Sequence, residues 1–345
     1  MTESTWRMPA EGDRHERLWL AWPTSGYTLG ESAADAESAR QTWAAVANAA
    51  ADFEPVSVVV APRDADLAPR YLSSAIDIHV RELDDAWIRD SGPTFVVNDA
   101  EPGRLGAVTW VFNGWGQQEW ASWEHDSTLG PAVAEWAGAE RIDSNLVNEG
   151  GGIHVDGLGT VLATETVQRD PGRNPGISRA EIEAEFARTL GTTNTVWLPR
   201  GLTRDSEEFG TRGHVDIVAT IASPGRVLLH DQRDPAHPDY AITALIRDAL
   251  SQARDAQGNA FEIIDLPAPA VLRDAEGFVD YSYVNHVLVN DGVIACSFGD
   301  ERDADAVAIL ADAYPGRRVV TVDARPLFER GGGIHCITQQ QPAVR

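Results

Sequence analysis

The chain predicts an α/β fold of repeated strand–helix–strand units sharing one core, on three observations. Strand and helix signals alternate along its 345 residues, yet many strand pairs read as hairpins, which argues against a simple parallel doubly wound sheet. The chain also echoes itself: Gly150-Gly151-Gly152-Ile153-His154 returns as Gly331-Gly332-Gly333-Ile334-His335, and His154-Val155-Asp156 returns as His214-Val215-Asp216. Finally, Asp90, Glu149, His214, Asn285-His286 and Cys336 fall about one such unit apart. Repeats of that size point to radial or stacked units that bring equivalent polar positions to a common axis. One domain over residues 1–345, without an internal linker, follows.

Residues 18–22 read as the first strand. The alanine-rich 33–53 segment has apolar residues at helical spacing around Trp43, Val46 and Ala50, so it predicts the first long helix. A continuous apolar strand at 56–61 is closed by Pro62; a short helix at 65–72 and a strand at 76–81 follow. Residues 84–93 read as an acid-rich loop before strand 94–97, and 105–112 is a further strand that turns at Asn113-Gly114-Trp115-Gly116 into an aromatic loop. Helix 131–136 and strand 160–164 flank the first glycine run. Helix 178–190 is the best marked, with a Ser178/Glu181 capping box at its start and Gly191 to stop it.

Strands then fall at 195–198, 217–222 and 226–230, the last two joined by a Ser223-Pro224-Gly225 turn. A helix near 240–254 leads to strands 261–266, 283–289 and 293–297, with Asn290-Asp291-Gly292 as a hairpin turn. Helix 303–313 and strand 318–322 lead to the second glycine run.

Composition narrows function. The net charge is −25, and all 28 basic residues are arginine. Without lysine there is no Schiff base, no P-loop lysine and no lysine general base. A strongly acidic field repels nucleic acid and anionic membranes and favours small cations. Two cysteines are too few for a disulfide framework or a thiolate zinc site. The N-terminal residues lack a signal-peptide pattern and no apolar run is long enough to span a membrane. A reducing cytoplasm is the expected setting.

The chemistry concentrates at the second glycine run. Three glycines in a row give up packing and are tolerated where backbone bends sharply or approaches something closely. Cys336 follows directly, before the β-favouring Ile337-Thr338 step. A cysteine there reads either as an activated nucleophile or as buried packing at a terminal strand. Singly, His214 reads as a structural histidine, Asp90 as a loop ion pair with Arg89, Glu149 as a turn residue and Asp216 as a local cap. Together, at matched places in a repeat, they make physical sense. Paired carboxylates at Asp90 and Asp216 suit a planar cation with parallel N–H donors. A thiolate attacks its electron-poor carbon, and a histidine supplies the proton for a leaving amine. Trp87 and Trp115 read either as walls for an alkyl chain or as core. Cys296, in an apolar strand, reads as inert, and His154, His286 and His335 as structural. There is no metal-ligand spacing, no Gly-x-Ser-x-Gly elbow and no dinucleotide fingerprint, so no cofactor or metal is expected.

Four segments carry a resemblance: Trp87-Ile88-Arg89-Asp90-Ser91-Gly92-Pro93, Glu149-Gly150-Gly151-Gly152-Ile153-His154, Gly213-His214-Val215-Asp216 and Gly333-Ile334-His335-Cys336-Ile337-Thr338-Gln339-Gln340-Gln341-Pro342. As a set, across nearly the whole chain, they resemble the agmatine deiminase family of the guanidino-group-modifying superfamily. The resemblance implies a five-bladed, pseudo-symmetric α/β propeller and cofactor-free chemistry. It implies Cys336 as nucleophile, His214 as general acid–base oriented by Glu149, and Asp90 and Asp216 as the guanidinium grip. The reaction so implied runs through a covalent amidino-thioether to ammonia and, from agmatine, N-carbamoylputrescine. The chain departs from the family at Glu11-Gly12-Asp13-Arg14-His15, where Trp-x-Pro-His is common, and at Arg212 and Ile217. The alternatives are a deiminase of arginine or peptidylarginine, an amidinotransferase, and a guanidine-binding protein without turnover. Oligomeric state stays open between a monomer and a homo-oligomer.

Overall fold

The computed structural model describes residues 5–24, 26–207 and 210–344. Its strands form five small open sheets among the described residues, and each repeats one plan. An antiparallel hairpin is followed by a helix that returns the chain to a strand parallel to the hairpin's second arm. Thr94–Asn98 and Leu105–Val111 pair in this way and are joined in parallel by Glu140–Val147 after helix Leu129–Trp136. Ile153–Val155, Thr160–Thr164 and Asn194–Leu198 repeat the plan around helix Arg179–Leu190. Ala219–Ser223, Arg226–Asp231 and Glu262–Pro267 repeat it around helix Asp239–Gln252. Val287–Val289, Gly292–Ser297 and Arg318–Asp323 do so around helix Asp303–Ala313.

The fifth unit is assembled from both ends of the chain. Thr338–Pro342 pairs antiparallel with His15–Ala21, which is parallel to Val56–Val60 after helix Ala33–Ala51. This recurrence is the tertiary form of the echoes in the sequence. Parallel strands need a crossover of a dozen or more residues, and an amphipathic helix that covers the sheet supplies it. Val56–Val60 is buried along its whole length and Trp19, Trp22 and Trp43 are fully buried around it.

Local signals explain the ends of elements. Both long helices that open on serine carry a full capping box, Ser32 with Asp35 and Ser178 with Glu181, each cap contributing about 1 kcal/mol. Gly191 ends the second in the left-handed conformation, at φ 69°. Where the structure departs from expectation, the reason is local. The helix expected at 65–72 is replaced by the 3-10 turns Pro62–Asp64 and Ala68–Arg70, because Pro69 inside it has no N–H to continue an α-helix. Residues 84–93 are not all loop: Ile88–Ser91 forms one helical turn, too short for periodicity to reveal. The strand expected from 217 begins at Ala219, after the 3-10 turn Val215–Ile217. The strand expected from 283 begins at Val287, because Ser282 Oγ draws the Val284 N–H into a local turn. Strand Glu140–Val147 was missed altogether; its outward positions are polar and exposed.

The five units share one feature that matters for chemistry. A few residues ahead of each first strand, the entry segment carries a polar group: Asp90, Glu149, His214 with Asp216, Asn285, and Cys336. Among the described residues, no helix is long and apolar enough to cross a membrane.

Candidate active site

These entry segments converge, and the sulfur lies among them. Cys336 Sγ is 3.3 Å from Asn285 Nδ2 and 3.6 Å from Asp216 Oδ2. Asp216 Oδ2 also accepts from His335 Nδ1 at 2.8 Å, while its Oδ1, although buried, has no hydrogen-bond partner. Asp90 accepts from Trp115 Nε1 at 2.9 Å and from the Gly151 N–H at 3.1 Å. Its Oδ1 lies 3.8 Å from His214 Nδ1, a second buried atom without a hydrogen-bond partner. The other ring nitrogen, His214 Nε2, is 3.3 Å from Glu149 Oε2.

Glu149 is itself held from behind. Arg173 Nε donates to both of its oxygens at 2.9 and 3.0 Å, with both side chains fully buried. The backbone of His214 is held by Asp205 Oδ2 and Thr211 Oγ1, each accepting its N–H at 2.9 Å. His214 therefore has its ring and its main chain fixed independently.

Glycine is needed at the centre. A Cβ on Gly151 would stand 2.6 Å from His214 Nδ1, 2.9 Å from Asp90 Oδ1 and 3.1 Å from Asp216 Oδ2. One on Gly332 would stand 2.7 Å from the Trp87 ring and 3.1 Å from Cys336 Sγ. Both backbones lie against reactive groups rather than turning sharply.

Burial sets the charge states. It pushes the Cys336 thiol well above its usual range, and the nearby Asp216 and Asp90 carboxylates push it further. His214 would be neutral from burial alone, but Asp90 and Glu149 raise it to about 9. Burial lifts Asp90 to about 6 despite His214. Asp216 and Glu149 go the other way: burial opposes ionisation, but His335 for Asp216, and Arg173 with His214 for Glu149, outweigh it. The site thus brings a thiol and an imidazolium together with carboxylates suited to a cation.

All five residues singled out in the sequence for chemistry come together. Trp115 reaches Asp90 and Trp87 borders Gly332, both largely buried. The alternative of an Asp90–Arg89 loop pair does not hold, since Arg89 donates to the His335 carbonyl and to Gln340 Oε1. Arg212 reaches back to the Glu207 carbonyl. Cys296 is buried, its thiol raised to about 12 by desolvation. Sequence reasoning missed Arg173 and Glu11, whose partners Glu149 and His335 lie 24 and 324 residues away, and Asp205, whose bonds to Thr211 and His214 within the same loop carry no periodic signal. A buried arginine has no local signature.

Beside the glycine run lies a cavity of about 350 Å³, bordered by Gly331, Tyr27, Phe328, Asp239, Asp280 and Glu329 among others. Asp239 is 1% exposed and its Oδ2 has no hydrogen-bond partner. The neighbouring His237 does not donate to it, because its Nδ1 accepts the Asp239 N–H.

A buried thiol, a carboxylate-held histidine and two further carboxylates define the site as one for cysteine-based chemistry on a small cation. The chain belongs to the family described as Porphyromonas-type peptidyl-arginine deiminase, whose model matches residues 7–342. A relative from Streptomyces coelicolor is 53% identical, over 98% of this chain and 99% of its own. The agmatine deiminase of Pseudomonas putida KT2440 is 40% identical, over 97% and 95%. Among solved structures, the agmatine deiminase of Enterococcus faecalis superposes with a TM-score of 0.90 at 30% identity, covering 99% of this chain and 98% of that one.

Proposed function

We propose that the protein is an agmatine deiminase, hydrolysing the guanidino group to N-carbamoylputrescine and ammonia without a cofactor. The observation that carries this reading is the meeting of Asp90, Asp216 and His214 against the Gly151 α-carbon, with Cys336 Sγ 3.6 Å from Asp216 Oδ2. Asp216 Oδ1 and His214 Nδ1 are both buried and without hydrogen-bond partners. A planar guanidinium satisfies both carboxylates with parallel N–H donors.

Its charge also solves the thiol's problem. Burial, with Asp216 and Asp90 beside it, holds the Cys336 proton on; a bound cation cancels the carboxylates' field, so the thiolate forms when substrate arrives and its proton passes to solvent. The sulfur attacks the guanidino carbon. His214, kept cationic against burial by Asp90 and Glu149, gives its proton to the departing nitrogen, and the C–N bond breaks to release ammonia. The amidino-thioether that remains is attacked by water, whose proton passes to the now neutral His214. Collapse breaks the C–S bond as the hydroxyl proton of the adduct passes to the departing sulfur, restoring the thiol and releasing the ureido product. Glu149, anchored by Arg173, keeps the imidazole ring in place.

Trp87 and Trp115 wall the guanidinium end. The acidic cavity beside Gly331, with the unpartnered Asp239 Oδ2, supports a substrate tail that ends in a cation. The five units form a five-bladed pseudo-symmetric propeller, and residues 1–345 act as a single catalytic domain. The pairing of strand Thr338–Pro342 with strand His15–Ala21 supports both. Two free, buried cysteines support a reducing cytoplasmic setting.

The test is a side-by-side assay of agmatine, arginine and an arginyl peptide, following ammonia and ureido product. Agmatine should dominate and Cys336→Ser should abolish turnover. A cationic haloacetamidine should alkylate Cys336 faster than neutral iodoacetamide. Ammonia release persisting in Cys336→Ser would sink the mechanism, and transfer to an added amine without ammonia would mark an amidinotransferase.

A further inference from the structure

We propose that Glu11 and His335 form a charge relay that positions Asp216, with His335 held as an imidazolium between the two carboxylates. The inference rests on the deiminase reading for its kinetic consequence, but its structural core does not. His335 Nδ1 lies 2.8 Å from Asp216 Oδ2 and His335 Nε2 lies 3.0 Å from Glu11 Oε2. A carboxylate accepts and does not donate, so both ring nitrogens must carry protons.

Glu11 is fixed in turn, its Oε1 accepting the Leu288 N–H at 2.9 Å. The chain of contacts therefore runs from strand Val287–Val289 through an N-terminal side chain to the residue next to the nucleophile. From there it reaches the carboxylate 3.6 Å from Cys336 Sγ. By occupying Oδ2, His335 leaves Oδ1 as the oxygen free to meet substrate.

The charged groups facing His335 are Glu11, Asp216, Arg89 and, ring to ring at 6.3 Å, His154. Burial and Arg89 oppose its protonation, and Glu11 and Asp216 outweigh them. Glu11, His154 and His335 also lie close enough together to suggest a cation site, but the hydrogen bonds argue otherwise. His154 Nδ1 accepts the Ile221 N–H, which leaves Nε2 as its protonated nitrogen, 2.6 Å from Thr220 Oγ1. Neither histidine presents a lone pair to a metal.

The decisive variant is Glu11→Gln. The Leu288 N–H requires an acceptor, so the Gln oxygen takes the place of Oε1 and the amide NH₂ faces His335 Nε2. That nitrogen must then accept, and His335 becomes neutral while its hydrogen bond to Asp216 survives. In full-length protein labelled with ¹⁵N-histidine, with His335→Asn to assign the signal, His335 should be doubly protonated at pH 8 and lose one proton in Glu11→Gln. A neutral His335 in the parent protein overturns the relay whether or not any guanidine is turned over.

If agmatine is hydrolysed, kcat/KM should fall roughly 10- to 100-fold in Glu11→Gln, the worth of one charge-assisted bond. Glu11→Asp, which keeps the charge, should recover part of the loss. A parental kcat/KM in Glu11→Gln, with the parent active, defeats the relay alone. A parent inactive on every guanidine, with His335 still doubly protonated, defeats the deiminase reading and leaves the relay standing.

Discussion

His214 combines full burial with a charge that burial alone would forbid. Its ordinary value of 6.5 is lifted to about 9 because Asp90 and Glu149 flank the ring. A group whose value is raised on folding stabilises the fold fully below its unfolded value, and that contribution is lost as pH rises through the folded one. The window here runs from about 6.5 to about 9. Comparing the parent with His214→Gln by urea denaturation across that window should show the parent losing on the order of 3 kcal/mol of its relative advantage. A constant difference between the two would mean that the imidazole is neutral. Cys336 and His214 were legible as candidates because their residue types carry the chemistry. Arg173, which holds Glu149, was not, because its sequence neighbours say nothing of where its guanidinium goes.

At the scale of elements, the two glycine runs show why the repeat persists. Gly151 carries no positive φ, so its backbone tolerates a side chain, yet a Cβ would enter the space among Asp90, His214 and Asp216. Gly151→Ala should therefore keep the parental melting temperature within a few degrees while kcat/KM drops by roughly 100-fold or more, through lost near-attack geometry. Near-parental kinetics would remove that space from the reaction. The glycine requirement was visible in the sequence, but its direction was not: close approach to neighbouring loops, rather than a sharp turn, explains both Gly151 and Gly332. Helices with capping boxes were readable to within a residue or two. The single turn at Ile88–Ser91 and the polar strand Glu140–Val147 were not, since one lacks length and the other lacks apolar alternation strong enough to register.

For the whole molecule, the key joint is the fifth sheet, where Thr338–Pro342 pairs with His15–Ala21. That strand follows Cys336 directly, and Trp19 Nε1 donates to Gln341 Oε1 across the pair at 2.9 Å. A chain ending at Ile337 exposes the long edge of His15–Ala21 and leaves the cysteine segment untethered. It should show a broadened thermal transition by circular dichroism and no detectable ammonia release. A sharp transition at the parental temperature would show that the closure is dispensable. The sequence hinted at this joint only through the echo of Gly150–Gly152 in Gly331–Gly333, because pairing between the two ends of a chain leaves no local mark.

By itself the sequence determined the alternation of elements, the unit of repetition, the acidic lysine-free surface and the residue types able to attack and grip a guanidine. Those properties are local or compositional, and short stretches of chain express them. Only the tertiary structure decided which oxygen of Asp216 stays free and that Arg173 stands behind Glu149. It alone placed Glu11 and His335 in line with the nucleophile. Each of these depends on side chains from different units meeting in a buried space, where desolvation and neighbouring charges, not residue identity, set protonation and reach.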